Sequence, residues 1–179
     1  MIHRICKYGE PVLTKKNQKV DFKAIKNKLP AILKDMWDTL SGVGGLGLAA
    51  NQIGLNMRIA VIKMKDEDGE GEKIVLINPE IIAKSGKAYA EEGCLSFPGF
   101  FVRIKRYGKV KVKALNEKGM PVEMSAEGLL ARAFQHEIDH LDGKLFIEHL
   151  PLLTRLKVRV MLKKLVKAWG RMDESVLKK

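Results

Sequence analysis

Between residues 22 and 40, apolar side chains recur every three or four positions: Phe22, Ile25, Leu29, Ile32, Leu33, Met36, Trp37 and Leu40. That spacing predicts an amphipathic helix, with Pro30 as an irregularity or break because proline has no N–H to bond. Ser41 to Gly47 is dense in glycine and reads as a loop. Apolar runs at 58–64 and 73–78 predict two strands, joined as a hairpin through the acidic turn Asp66-Glu67-Asp68-Gly69-Glu70-Gly71. Lys109 to Leu115 alternates charged and apolar residues, the mark of a half-exposed strand. Asn116-Glu117-Lys118-Gly119 turns it into a short strand at 120–124. Ser125 then reads as the N-cap of a helix from 126 to about 141, with Glu127 suiting the helix dipole and Gly143 placed to stop it. A last helix is predicted from about 151 to 170. Its apolar sector holds Val158, Met161, Leu162, Leu165 and Trp169, opposite Arg155, Lys157, Arg159, Lys163, Lys164, Lys167 and Arg171. Leu156 and Val160 fall among the basic residues.

The 179 residues fit one domain with a core of its own. No run of 18 apolar residues is present, so no membrane span is expected. The first residues carry no long apolar stretch of the kind a secretory signal needs. Two cysteines make no disulfide framework, and a reducing, cytoplasmic compartment is expected, with an organelle after loss of a transit peptide as the alternative. The net charge is +12, and +7 of it lies between Pro151 and Lys179. A basic tail on a balanced body fits either a solvated helix face or a polyanionic partner such as RNA. The apolar Leu156 and Val160 in the basic field fit a partner-binding face and put docking level with solvation.

Candidate chemistry concentrates in His136-Glu137-Ile138-Asp139-His140, an H-E-x-x-H motif in helix-patterned sequence. Residues i and i+4 share a helical face, so both imidazoles can reach one metal ion, and Glu137 beside it can act as general base toward water activated there. A catalytic site needs a third protein ligand and an open position. The extended metalloprotease pattern would put a third histidine at Phe146, which cannot bind metal. Glu148 and His149 lie off the motif helix, and His149 reads as a surface histidine. Cys94, in Glu91-Glu92-Gly93-Cys94-Leu95-Ser96-Phe97-Pro98-Gly99, is the better ligand: a thiolate with two imidazoles suits a divalent transition metal. Taken alone, a single cysteine in an apolar run is more often a small buried hydrophobe. That is the only role for Cys6. A Cys6–Cys94 disulfide would remove the thiolate.

Three segments together resemble the peptide deformylases. Gly45-Leu46-Gly47-Leu48-Ala49-Ala50-Asn51-Gln52 is similar to the family's G-x-G-L-A-A-x-Q, Glu92-Gly93-Cys94-Leu95-Ser96 to E-G-C-L-S, and Gln135 to His140 to Q-H-E-x-D-H. They stand in the family's order and spacing, and the likeness runs from about Ile2 (Tyr8-Gly9-Glu10-Pro11-Val12-Leu13 resembles its opening) to about Leu150. The resemblance implies an α+β single domain, with mainly antiparallel or mixed sheets packed around the motif helix, plus a C-terminal helix. Residues 1–150 would form the catalytic body and 151–179 a basic amphipathic tail of the same domain.

The resemblance further implies removal of the formyl group from the initiator N-formylmethionine of nascent chains. Cys94, His136 and His140 would hold one divalent metal, usually Fe(II), with Zn(II), Ni(II) or Co(II) as substitutes. Glu137 would move the proton. The Gln52 side-chain amide and the backbone N–H of Leu95 would receive the developing oxyanion, although Gln52 by itself reads as an amide bracing its loop. Substrate would pair with Gly45, Leu46 and Gly47, and Leu46, Leu129 and Ala133 would line the methionine pocket. Leu129 and Ala133 share His136's helical face and serve equally as core residues. Glu92 and Asp139 would orient ligands or, equally, form an ion pair with Arg106. In the subclass with a C-terminal helix, that helix docks on the ribosome near the nascent-chain exit, and a monomer is expected. A metallopeptidase on the same helix and an inactive RNA- or ribosome-binding module are the alternatives. Phe146 weighs against the first and intact Glu137 against the second.

Overall fold

The computed structural model describes residues 1–64 and 71–176, the last seven of these as backbone only. The acidic turn predicted at 66–71 therefore lies, except for Gly71, outside the described residues, as does the side chain of Arg171. The helix predicted at 22–40 is two: α1 (Phe22–Ile25) and α2 (Leu29–Val43). Pro30 does not interrupt the second helix but begins it, in the first turn where a missing N–H costs nothing. The helix also runs on through Ser41 and Gly42, residues whose composition suggested a loop, and stops at Gly44, which takes the left-handed conformation (φ 69°).

Among the described residues seven strands follow: β1 (Gly47–Ala49), β2 (Ile59–Lys63), β3 (Lys73–Ser85), β4 (Ala88–Gly93), β5 (Phe101–Arg106), β6 (Lys109–Leu115) and β7 (Pro121–Glu127). Five form an antiparallel sheet in the order β1-β2-β3-β6-β7, and β4 and β5 pair separately as a hairpin. β3 extends seven residues beyond the predicted 78. Asn78 takes a positive φ of 54° and exchanges two 2.8 Å hydrogen bonds with the Val20 backbone, and the ladder resumes at Glu80 after this irregularity.

The sheet is covered on both faces, which is why β2 reads as a continuous apolar run rather than an alternating one. Ile59, Val61, Val75 and Ile77 pack against Leu33, Met36 and Leu40 of α2. Ala60, Ile62, Leu76 and Val112 pack on the other side against Phe134, Ile138 and Leu141 of α3 (Gly128–Leu141). α3 begins later than predicted. Ser125 is no cap: it stays in β7 opposite Lys111, and the chain turns into the helix at Gly128 (φ 58°), whose N–H bonds the Gly108 carbonyl. The stop is as predicted, with Gly143 at φ 72°.

A third cluster ties the remaining parts together. Phe97, Phe100 and Ile104 pack with Phe146, Ile147, and Val158, Leu162 and Trp169 of α4 (Leu152–Val176). Met161, placed in the apolar sector by periodicity, is exposed instead, while Val166 packs inward. Leu156 and Val160 are exposed, as predicted. No helix among the described residues is long and apolar enough to cross a membrane.

Candidate metal centre

α3 presents His136 and His140 one turn apart, with ring centroids 4.9 Å from each other. The segment that leaves β4 brings Cys94 to them. Its Sγ lies 3.1 Å from His140 Nε2, and one ligand atom from each of Cys94, His136 and His140 falls within 4.8 Å of the others. These three form the one such group of metal-binding side chains among the described residues.

The donor set fits a divalent cation. Glu92 Oε1 accepts from His136 Nδ1 at 2.7 Å, which leaves Nε2 to bind. Burial raises the Cys94 thiol pKa, but the His140 ring and hydrogen bonds with both histidines outweigh it and bring the group down to about 5. The Ser96 N–H at 3.4 Å and Gln52 Nε2 at 3.5 Å also point at the sulfur. Burial lowers the His136 pKa, yet its bonds to Cys94 and Glu92 carry it well above the usual imidazole value. The site thus favours a thiolate beside a positive charge, a place a metal ion would take over from the proton.

Glu137 stands in the same cleft. Its Oε2 is buried with no hydrogen-bond partner, and burial raises its pKa to about 7 despite the neighbouring histidines. The carboxylate lies directly against Gly47: a Cβ built on that glycine would overlap Oε1. A Cβ on Gly45 would meet Leu40 and Leu95 at 2.8 and 2.9 Å. These glycines therefore make room for protein side chains, as well as lining the cleft.

Gln52 is oriented by its loop. Oε1 accepts from the Ala49 N–H at 2.9 Å, so Nε2 faces Ser96 Oγ at 3.2 Å and the Cys94 sulfur. The amide both braces the loop and presents a donor to the site. The Leu95 N–H has no acceptor among the described residues.

The cleft holds about 490 Å³ and runs between the Gly44–Gly47 segment and residues 91–99. Leu46, Leu129 and Ala133 all line it, with Leu129 at the rim, 57 % exposed. Phe101 and Arg132 line it too, although periodicity singled out neither. Arg132 precedes His136 by one helical turn, so its place on the ligand face was available from spacing alone. Phe146 is buried in the apolar cluster and offers the His136 ring only packing, with ring centroids 6.0 Å apart, and Glu148 accepts from the Leu145 N–H. His149 bonds Asp139, not the ligands. Cys6 is free and buried, and Cys94 is free of any disulfide.

Comparisons with known proteins point to one family. The family model described as polypeptide deformylase matches residues 2–156. The chain is 50 % identical over 174 residues to the peptide deformylase of Elusimicrobium minutum, covering 94 % of this chain and 99 % of that one. To the enzyme of Aquifex aeolicus it is 45 % identical over 169 residues, with 94 % and 99 % covered. The crystal structure of a peptide deformylase from Legionella pneumophila superposes with a TM-score of 0.84 at 41 % identity, over 96 % of this chain and 99 % of that one. A Synechococcus elongatus peptide deformylase in complex with actinonin gives 0.77 at 34 % identity, over 86 % and 81 %.

Proposed function

The chain belongs to the polypeptide deformylase family, and we propose that Cys94, His136 and His140 hold its metal, that Glu137 moves the proton, and that Gln52 with the Leu95 N–H receives the oxyanion. The reaction is the metal-dependent removal of the N-formyl group from formylmethionyl nascent peptides, with release of formate. The observation that carries the residue assignment is the meeting of one sulfur and two ring nitrogens within 4.8 Å, with the unpartnered Glu137 Oε2 in the same cleft.

A bound cation would supply Lewis acidity toward the formyl carbonyl and toward water. Glu137 accepts the proton of the attacking water and hands it to the departing amine; a carboxyl titrating near neutrality suits both directions. Gln52 Nε2, held by the Ala49–Oε1 bond, and the Leu95 N–H meet the charge that develops on the formyl oxygen. Substrate backbone extends the sheet at β1, which lies at its edge beside the cleft. The methionine side chain enters between Leu46, Leu129 and Ala133.

For the metal we propose Fe(II), with Zn(II), Ni(II) or Co(II) as substitutes, since thiolate with imidazoles accepts all of these. We place the protein in the bacterial cytoplasm as a monomer, with residues 151–179 folding onto the 1–150 body. The tail docks on the ribosome near the nascent-chain exit. Support for docking comes from α4, which buries Val158, Leu162 and Trp169 but leaves Leu153, Leu156 and Val160 exposed among basic residues.

Incubation with formyl-Met-Ala-Ser and with Met-Ala-Ser tests the assignment. Formate from the first with both peptide bonds intact is expected. Cleavage of either peptide bond would return the site to a metallopeptidase. Metal analysis of anaerobically purified protein tests the choice of iron.

A further inference from the structure

Behind the metal ligands, a chain of buried charges crosses to the far side of α3, and His149 closes it. Glu92, which holds His136, is bound by Arg106 Nη2 at 2.7 Å and Nε at 3.2 Å, and by Arg132 Nη1 at 2.7 Å. Arg106 Nη1 reaches on to Asp139. The Nε2 atom of His149 lies 2.7 Å from Asp139 Oδ2 and 2.9 Å from Arg106 Nη1. The Arg106 and Glu92 side chains are 1 % and 5 % exposed, whereas His149 is 36 % exposed and lines a separate cleft.

Resting on the reading of His136 as a ligand, we propose that His149 is a positioning residue whose protonation sets, through Asp139, Arg106 and Glu92, how firmly the His136 ring is held.

The geometry at Nε2 cannot satisfy both neighbours at once. A ring nitrogen carries either a lone pair or a proton. With a lone pair it accepts from Arg106 and faces the oxygen of Asp139. With a proton it donates to Asp139 and faces the guanidinium. A doubly protonated His149 therefore takes Asp139 for itself and repels Arg106. Arg106 is then left to Glu92, and draws on the same Oε1 that accepts from His136 Nδ1. Burial makes such a redistribution matter, because charges in a low-dielectric interior are weakly screened. Around His149 the cleft carries Arg58, Glu80, Lys84, Asp142 and Lys144. Arg58 is already committed to Asp142, and Glu80 is shared by Lys19 and Lys113.

The test uses the full-length, zinc-loaded protein and follows transfer of zinc to a chromophoric chelator at pH 8 and pH 5.5. His149→Asn can donate to Asp139 and accept from Arg106 without titrating. It should match the wild type at pH 8. At pH 5.5 the wild type should release zinc about threefold faster than the variant or more, short of the ~10–100-fold typical when a direct partner of a ligand is removed. With formyl-Met-Ala-Ser, kcat should follow the same pattern and KM should not. If His149→Asn does not fold, judged by circular dichroism, His149→Gln carries the same comparison. A zinc-holding wild type whose pH response equals the variant's overturns this inference alone. A wild type that binds no zinc overturns the ligand assignment and this inference with it.

Discussion

Glu92 Oε1 sits 2.7 Å from His136 Nδ1 while the same carboxylate is bound by Arg106 and Arg132. Orienting a ligand and forming an ion pair were alternatives for Glu92 at the level of sequence; in the fold its carboxylate makes the contacts that both would need. Burial alone would raise its pKa, but the bonds from His136 and Arg106 hold it far below the usual carboxylate range.

Glu92→Gln keeps the shape and removes the charge. The His136 ring then loses its strongest acceptor, and metal affinity should fall about 10–100-fold in a chelator competition. Glu92→Ala also strands two buried arginines, and should cost about 3–5 kcal/mol in urea unfolding. Unchanged metal affinity in Glu92→Gln would remove the orienting role.

Glu137→Gln should leave the metal bound and abolish formate release, since among the described residues no other buried carboxylate oxygen in the cleft lacks a partner. A second consequence follows in the metal-free protein. Burial raises the Glu137 pKa from 4.5 to about 7. Between those values the folded chain holds a proton that the unfolded chain has released, so this group's contribution to stability falls as pH rises through the window. Apo Glu137→Gln should lack that component, gaining relative to wild type from pH 5 to pH 8 by up to about 3 kcal/mol. Parallel stability profiles for the two apo proteins would contradict the buried, raised carboxyl.

The features that repeat with a clear period were legible in the chain. The motif helix and β6 follow from spacing and residue type, whereas the meeting of Cys94 with His136 and His140 does not, since a lone cysteine reads as a small buried hydrophobe and only the resemblance of three segments together pointed to it. The β4–β5 hairpin did not declare itself. Tyr89, Glu91, Arg103 and Lys105 face solvent, and few apolar residues mark its inner side. The start of α3 is misread from sequence because Ser125 and Glu127 satisfy a capping pattern locally, while the ladder with β6 keeps them extended. The role of Gly47 was only half visible. Its sequence context suggested close approach of a substrate backbone, but nothing in it announces the Glu137 side chain packed against it.

That packing makes Gly47→Ala a sharp probe. The added methyl would overlap Glu137 Oε1. Displacement of the carboxylate by about 1 Å should lower kcat by about 10²-fold, with the metal retained and the fold intact, because β1 is otherwise unchanged. A variant with normal kcat would mean that the carboxylate has room to work from elsewhere.

Gln52→Ala separates the two halves of that amide. Loss of Nε2 should lower kcat by about 10²–10³ if it faces the oxyanion. Loss of Oε1 leaves the Ala49 N–H without its acceptor and should cost about 1–3 kcal/mol of stability. Gln52→Glu retains the acceptor and replaces the donor with negative charge. It should restore most of the stability and none of the turnover, and recovery of turnover would assign Gln52 to the loop alone.

Removing the tail is a poor test of ribosome docking, because α4 buries Leu162 and Trp169 against Phe97 and Phe146. A deletion after Leu150 would expose this cluster, and weak binding would then report a damaged fold. Charge reversal on the exposed face avoids the problem. Lys157, Arg159, Lys163 and Lys164 are all exposed, so replacing three of them with Glu should leave the melting temperature and the turnover of formyl-Met-Ala-Ser unchanged. If the helix meets ribosomal RNA, affinity for ribosomes should fall and the slope of log K against log salt should shrink by about 0.7–0.9 for each phosphate the helix no longer neutralises. Exchanging Leu153 and Leu156 for Ser should weaken binding without altering that slope, since an apolar surface releases no counterions. Equal ribosome binding by the wild type and both variants would make the basic face a solvated one.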